Sequence, residues 1–106
     1  WGSPDVVRDF LYVKDVVKGC LLVLEKGESM KPYNVGYGTT VNIGDIVNTI
    51  LKVTGKTPEV KWDNSKPTTI PFRSCSTERI ETELGFKPDY TFEQGMKETL
   101  EWYENL

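Results

Sequence analysis

Histidine is missing from all 106 residues. Its absence removes any His-assisted serine or cysteine nucleophile and any His-containing zinc site, which excludes most of the familiar hydrolases. Cysteine is scarce as well: Cys20 and Cys75 are too few and too far apart for a metal cluster or a disulfide framework. Cys20 falls among Val17, Leu21 and Leu24 at helical spacing, where a small buried thiol is the ordinary expectation. Charge of one sign is lacking too. Thirteen basic side chains stand against sixteen acidic ones, a net charge of −3, with no basic run, so nucleic acid is not an expected partner. No apolar run approaches the roughly twenty residues that span a bilayer. The opening Trp1-Gly2-Ser3-Pro4-Asp5 has none of the features of a signal peptide. These absences predict a soluble, cytoplasmic chain with no membrane contact, folded as a single small domain over residues 1–106 with one core.

What is present begins with Arg8-Asp9-Phe10-Leu11-Tyr12-Val13-Lys14-Asp15, an extended run that turns into an apolar helix. Phe10, Tyr12 and Val13 suit a strand, and Asp15 before Val16-Val17 suits a helix N-cap. Arg8 stands at the rim of that junction. Its planar fork of donors can take phosphate or carboxylate, or it can be a surface arginine paired with Asp9.

Residues 16–25 are apolar almost all round, so this helix expects cover on more than one face. Gly27 suits a left-handed residue past its end, and Pro32-Tyr33-Asn34-Val35-Gly36 reads as a short strand. Asn42 with Asp45 opens an amphipathic helix through Leu51, closed at Gly55. Glu59-Val60-Lys61-Trp62 alternates like a half-buried strand, and 63–73 reads as a surface loop. Ser76 or Thr77 caps a short helix that stops at Gly85. Thr91 and Gln94 form a capping box for a last helix, with Phe92, Met96, Leu100 and Tyr103 on one face. Short strands alternate with about four helices, so the fold class is α/β, with no complete Rossmann domain.

Two cofactor signals fail. Gly36-Tyr37-Gly38 lacks the third glycine of a dinucleotide fingerprint, because Val41 stands where it belongs. No tyrosine is followed four residues later by lysine, the pair that short-chain dehydrogenases use for proton transfer: the residues in that place after Tyr12, Tyr33, Tyr37 and Tyr90 are Val16, Tyr37, Val41 and Gln94. Asp5, Asp9 and Asp15 do not add up to a catalytic group. A helix cap accounts for Asp15 and solvent for the other two. Trp1 and Trp62 are read as packing residues, although an aromatic face also stacks on a nucleobase.

Taken together, the chain resembles the C-terminal, substrate-binding part of the extended short-chain dehydrogenases, the nucleotide-sugar epimerases and dehydratases, nearest their GDP-fucose synthase branch. Trp1-Gly2 with Arg8 to Asp15 looks like the family's W-G…R-[DE]-F-[IL]-[HY]-V-x-D, and Tyr33-Asn34-Val35-Gly36 like its Y-N-V-G. Trp62-Asp63-Asn64-Ser65-Lys66-Pro67 with Pro71 and Arg73 is similar to W-D-x-S-K-P-x-G-x-P-x-[RK], and Leu84-Gly85-Phe86-Lys87-Pro88 to L-G-[FW]-x-P. The resemblance implies that Arg8 and Arg73 approach the diphosphate of a nucleoside-diphosphate sugar, that Trp1 lies near the nucleotide, and that Lys66 is a further contact. Thr69 in place of glycine, and Ser76 in place of aspartate, leave loop geometry and sugar choice open. The NAD or NADP of the family, and its catalytic tyrosine and lysine, belong to an N-terminal half that these residues do not include. The chain alone is therefore expected to hold no cofactor and not to catalyse the family reaction. The expected partners are a nucleotide sugar and either a cofactor-binding half or a second copy of itself.

Overall fold

The computed structural model describes residues 2–67 and 70–106, built as four helices and one three-stranded sheet. Strand β1 is Val7–Arg8, and helix α1 runs Val13–Lys26. Strand β2, Val41–Asn42, leads directly into α2, Ile43–Thr54. Strand β3 is Phe72–Arg73, followed by α3, Glu78–Leu84, and α4, Phe92–Glu104. The sheet order is β2-β1-β3, with β1 antiparallel to β2 and parallel to β3.

Local sequence explains the helix ends. The Asn42 side chain accepts the Asp45 N–H at 2.7 Å, and Gly55 closes α2 in the left-handed region at φ 65°. Gly85 ends α3 in the same way at φ 70°. The Thr91–Gln94 capping box is complete, each side chain accepting the other residue's backbone N–H. Thr91→Ala removes one half of that box and is expected to cost about 1 kcal/mol. A shift of the thermal midpoint down by several degrees would register it, and an unchanged midpoint would contradict it.

Other expectations are corrected. Helix α1 starts two residues before Asp15, with Tyr12 at the cap position, so Asp15 lies inside the first turn and is only 1% exposed. Its carboxylate accepts the N–H groups of Asp89 (2.8 Å) and Tyr90 (3.1 Å), tying α1 to the entry of α4. Phe10 to Tyr12 form no strand, since the ladder ends at Arg8. Gly27 is extended, at φ −66°, and the positive φ nearby belongs to Met30. Residues 32–36 and 59–62 are not strands, because no neighbouring strand takes up their backbone groups. Cys20 is exposed rather than buried.

The exposure of Cys20 has a general cause. Val13, Val16, Val17, Leu21 and Leu24 lie on the same stripe of α1, and all are exposed, Leu24 by 81%. Among the described residues the buried hydrophobic side chains are Ile80 and Phe86. The radius of gyration is 16.2 Å, whereas a compact domain of this length has about 13 Å. The apolar stripe foreseen for α1 is present, but this chain does not cover it. Among the described residues no helix is long and apolar enough to cross a membrane.

Candidate functional site

The pairing of β1 with β3 brings together two residues far apart in sequence. Arg8 and Arg73 are Cα partners in the parallel ladder, as are Val7 and Phe72. Neighbouring strands lie about 4.8 Å apart and paired residues leave the sheet on one face, so the two arginine side chains start from adjacent positions on that face. Arg8 is half-buried on the central strand, and one of its guanidinium N–H groups donates to the Val7 carbonyl at 2.7 Å. Arg73 is exposed on the edge strand, not in the surface loop expected over 63–73.

Lys66 is exposed, in the turn that Asp63 organises. Asp63 accepts the Ser65 N–H at 3.0 Å and the Ser65 hydroxyl at 2.5 Å, and these bonds hold its carboxyl below the usual carboxylate range. The Asp63 carbonyl accepts the Gly2 N–H at 2.9 Å, so this turn is fastened to the start of the chain. Trp1 lies outside the described residues, as does Thr69.

Asp9 is the residue that sequence reasoning left to solvent. The structure half-buries it, and its carboxylate accepts the N–H of Tyr37 (2.8 Å) and of Gly38 (3.3 Å). A Cβ on Gly36 would stand 2.7 Å from the Asp9 oxygen and 2.9 Å from the Cys75 sulfur, so only glycine fits there. Cys75 is largely exposed, and the slight desolvation it has, and then the Asp9 carboxylate, push its thiol up. The nearest signal in the sequence was the glycine pair at 36 and 38, whose need for close approach is met by Asp9 rather than by a dinucleotide.

Beside this cluster runs a groove of about 640 Å³ lined by Phe10, Tyr12, Tyr37, Tyr90, Phe92 and Trp102. Tyr12 and Tyr90 pack with ring centroids 4.7 Å apart, and Lys14 lies over both rings. Lys14 is also bonded at 2.5 Å to Glu98, which accepts the Tyr12 hydroxyl at 2.7 Å. These bonds lower Glu98, Lys14 first, and raise Lys14 and Tyr12, Glu98 first in each case. The cation nearest the groove is thus already neutralised. The groove suits apolar side chains, while the Arg8–Arg73 pair suits an anion.

Known proteins resemble this chain in sequence and fold. A family model described as GDP-mannose 4,6 dehydratase matches residues 1–99. The chain is 31% identical over 107 residues to a probable GDP-L-fucose synthase 1 of Oryza sativa subsp. japonica, covering 100% of this chain and 32% of that protein. It is 32% identical over 111 residues to the dTDP-glucose 4,6-dehydratase of Escherichia coli, covering 97% and 31%. Among solved structures, RMD from Pseudomonas aeruginosa complexed with NADPH is similar with a TM-score of 0.89 at 28% identity, covering 100% of this chain and 35% of that one. The UDP-glucose 4-epimerase of Thermotoga maritima with UDP-glucose gives 0.89 at 27%, covering 99% and 34%. The chain therefore spans about a third of the length of these relatives. The motif order read from the sequence, the α/β fold and the match over residues 1–99 agree: this chain belongs to the GDP-mannose 4,6-dehydratase family, within the extended short-chain dehydrogenases that include nucleotide-sugar epimerases and dehydratases.

Proposed function

We propose that this chain is the nucleotide-sugar-binding part of an NAD(P)-dependent epimerase, dehydratase or reductase, with Arg8 and Arg73 on the diphosphate. The family resemblance adds Lys66 and Trp1 to this reading as further contacts. The observation that carries this reading is the register pair Arg8–Arg73. The register places two arginines on neighbouring strands, and a doubly negative diphosphate carries enough charge and acceptors to engage both. Each guanidinium offers several donors in a plane and takes phosphate oxygens in pairs. These residues hold neither a complete dinucleotide fingerprint nor a tyrosine–lysine pair at the short-chain dehydrogenase spacing, so the part proposed for them is to bind and orient the nucleotide sugar.

Titration calorimetry with GDP-mannose, UDP-glucose and dTDP-glucose tests this reading. The parent should give heat with at least one of the three. Arg8→Ala should lose about 2 kcal/mol of binding, and Arg8→Lys, which keeps the charge but not the fork, about 1 kcal/mol. Silence from the parent at millimolar ligand rejects the reading. Equal affinity of parent and Arg8→Lys, with binding abolished by moderate salt, reduces the contact to a diffuse basic surface.

A second reading concerns partners, and the exposed α1 stripe favours it. Val13 belongs both to the stripe and to the aromatic groove, so the two form one continuous apolar surface. A separate cofactor-binding half, or a second copy of this chain, would cover it. Both outcomes are compatible with diphosphate binding on the far smaller patch around Arg8.

A further inference from the structure

Strand β1 has two residues, and its ladder ends at Arg8. A strand this short holds its last side chain poorly, because no further ladder pair fixes the backbone beyond it. The residue immediately after Arg8 is Asp9, and its carboxylate takes over where the ladder stops. It accepts two amides of the Tyr37–Gly38 loop. That loop is in turn wedged at Gly36 between Asp9 and Cys75, the latter two residues beyond Arg73. The segment that leaves Arg8 is thus bonded to this loop by Asp9, and the segment that leaves Arg73 packs against the same loop at Gly36.

We propose that Asp9 is the positioning residue of the diphosphate site: by anchoring the end of β1 to the Gly36–Gly38 loop it holds Arg8 in register beside Arg73. The inference rests on the proposed diphosphate role of the two arginines and extends it. Asp9 itself touches no ligand. An anion would be repelled by a free carboxylate so close to the site, and the two loop amides satisfy that carboxylate and direct it away. Removing it therefore does not simply subtract a negative charge. If the electrostatic effect dominated, Asp9→Ala would bind a diphosphate more tightly; if positioning dominates, it binds more weakly.

The sign of that change is the test. The probes are GDP-mannose, UDP-glucose and dTDP-glucose, with the parent, Asp9→Asn, Asp9→Ala, Arg8→Ala and the Asp9→Ala/Arg8→Ala double variant. Asp9→Ala should weaken binding about tenfold, with Asp9→Asn between it and the parent, since the amide oxygen still accepts one loop N–H. The double variant should bind no worse than Arg8→Ala alone, because Asp9 acts through Arg8. Thr91→Ala, which loosens the start of α4, a helix that carries neither arginine, should lower the thermal midpoint and leave affinity unchanged. Tighter binding by Asp9→Ala, or additive losses in the double variant, overturns the proposal.

A readout without ligand separates this inference from the function it rests on. The Nε–H resonance of Arg8 in a nitrogen–proton correlation spectrum should move in Asp9→Ala and stay in place in Thr91→Ala. An Arg8 resonance that Asp9→Ala leaves where it was rejects the positioning role even if no nucleotide sugar binds the parent. A moved resonance in a parent that binds none of the three sugars keeps the positioning role and rejects only the ligand.

Discussion

Asp15→Ala is expected to unfold this chain or bring it close to unfolding at room temperature. The carboxylate is 1% exposed and accepts two backbone N–H groups, from Asp89 and Tyr90, in the turn that leads into α4. Deleting it leaves two donors without partners in a place water does not readily reach, at about 1–3 kcal/mol each. The loss is large against the roughly 5–15 kcal/mol of an ordinary domain. This chain has less in reserve than most, because Ile80 and Phe86 are the buried hydrophobic side chains among the described residues. Lys18 reaches the same turn, bonding the Lys87 carbonyl at 2.6 Å and Asp89 at 2.7 Å, but these contacts are exposed and do not replace the lost acceptor. Asp15→Asn keeps one acceptor oxygen and turns an NH2 group toward the second donor, so it should fall between parent and alanine. Urea unfolding followed by circular dichroism checks the order. An alanine variant within about 1 kcal/mol of the parent would show that the turn finds other partners.

The second large effect lies at Gly19, in the middle of α1. Alanine for glycine inside a helix normally stabilises by about 1 kcal/mol. At Gly19 the sign should reverse. A Cβ there would overlap the Val35 side chain and stand 3.3 Å from the Phe86 ring, and Phe86 is 3% exposed. Valine has little rotamer freedom with which to withdraw, and the ring belongs to the small core. Overpacking of this kind costs about 1–3 kcal/mol, which exceeds the propensity gain. Gly19→Ala should therefore lower the thermal midpoint, and Gly19→Val should lower it further. Val35→Ala in the same chain makes room for the new Cβ, so the double variant should recover part of the loss of Gly19→Ala. A stabilised Gly19→Ala single variant would mean that α1 and the 32–36 segment are not in close contact.

Both positions show where sequence reasoning stops. Aspartate before an apolar run is a sound cap signal, and it placed a helix correctly at this point in the chain. The structure moved the start of that helix to Val13, because Asp15 bonds amides seventy-four and seventy-five residues away instead of those of its own first turn. No local pattern encodes that choice. Gly19 carried no signal at all, since its requirement is set by Val35 and Phe86 arriving from elsewhere. The same holds for Asp9, whose partners come from the Tyr37–Gly38 loop.

What the amino-acid order determined by itself was everything that depends on neighbours within one turn. The caps at Asn42 and Thr91, the left-handed glycines at 55 and 85, the periodicity of α2 and the apolar stripe of α1 all follow from spacings of three and four residues. The order of motifs also sufficed to recognise the family, since recognition requires resemblance along the chain and no contacts. Strands were another matter. Residues 32–36 and 59–62 have strand-like composition but form no strand pairing among the described residues, while Val7–Arg8 and Phe72–Arg73, barely visible in sequence, pair with each other. A strand exists only when another segment supplies its hydrogen bonds, so its position is a property of the tertiary structure. The same pairing set Arg8 beside Arg73, and whether the stripe on α1 is covered likewise depends on what packs against it.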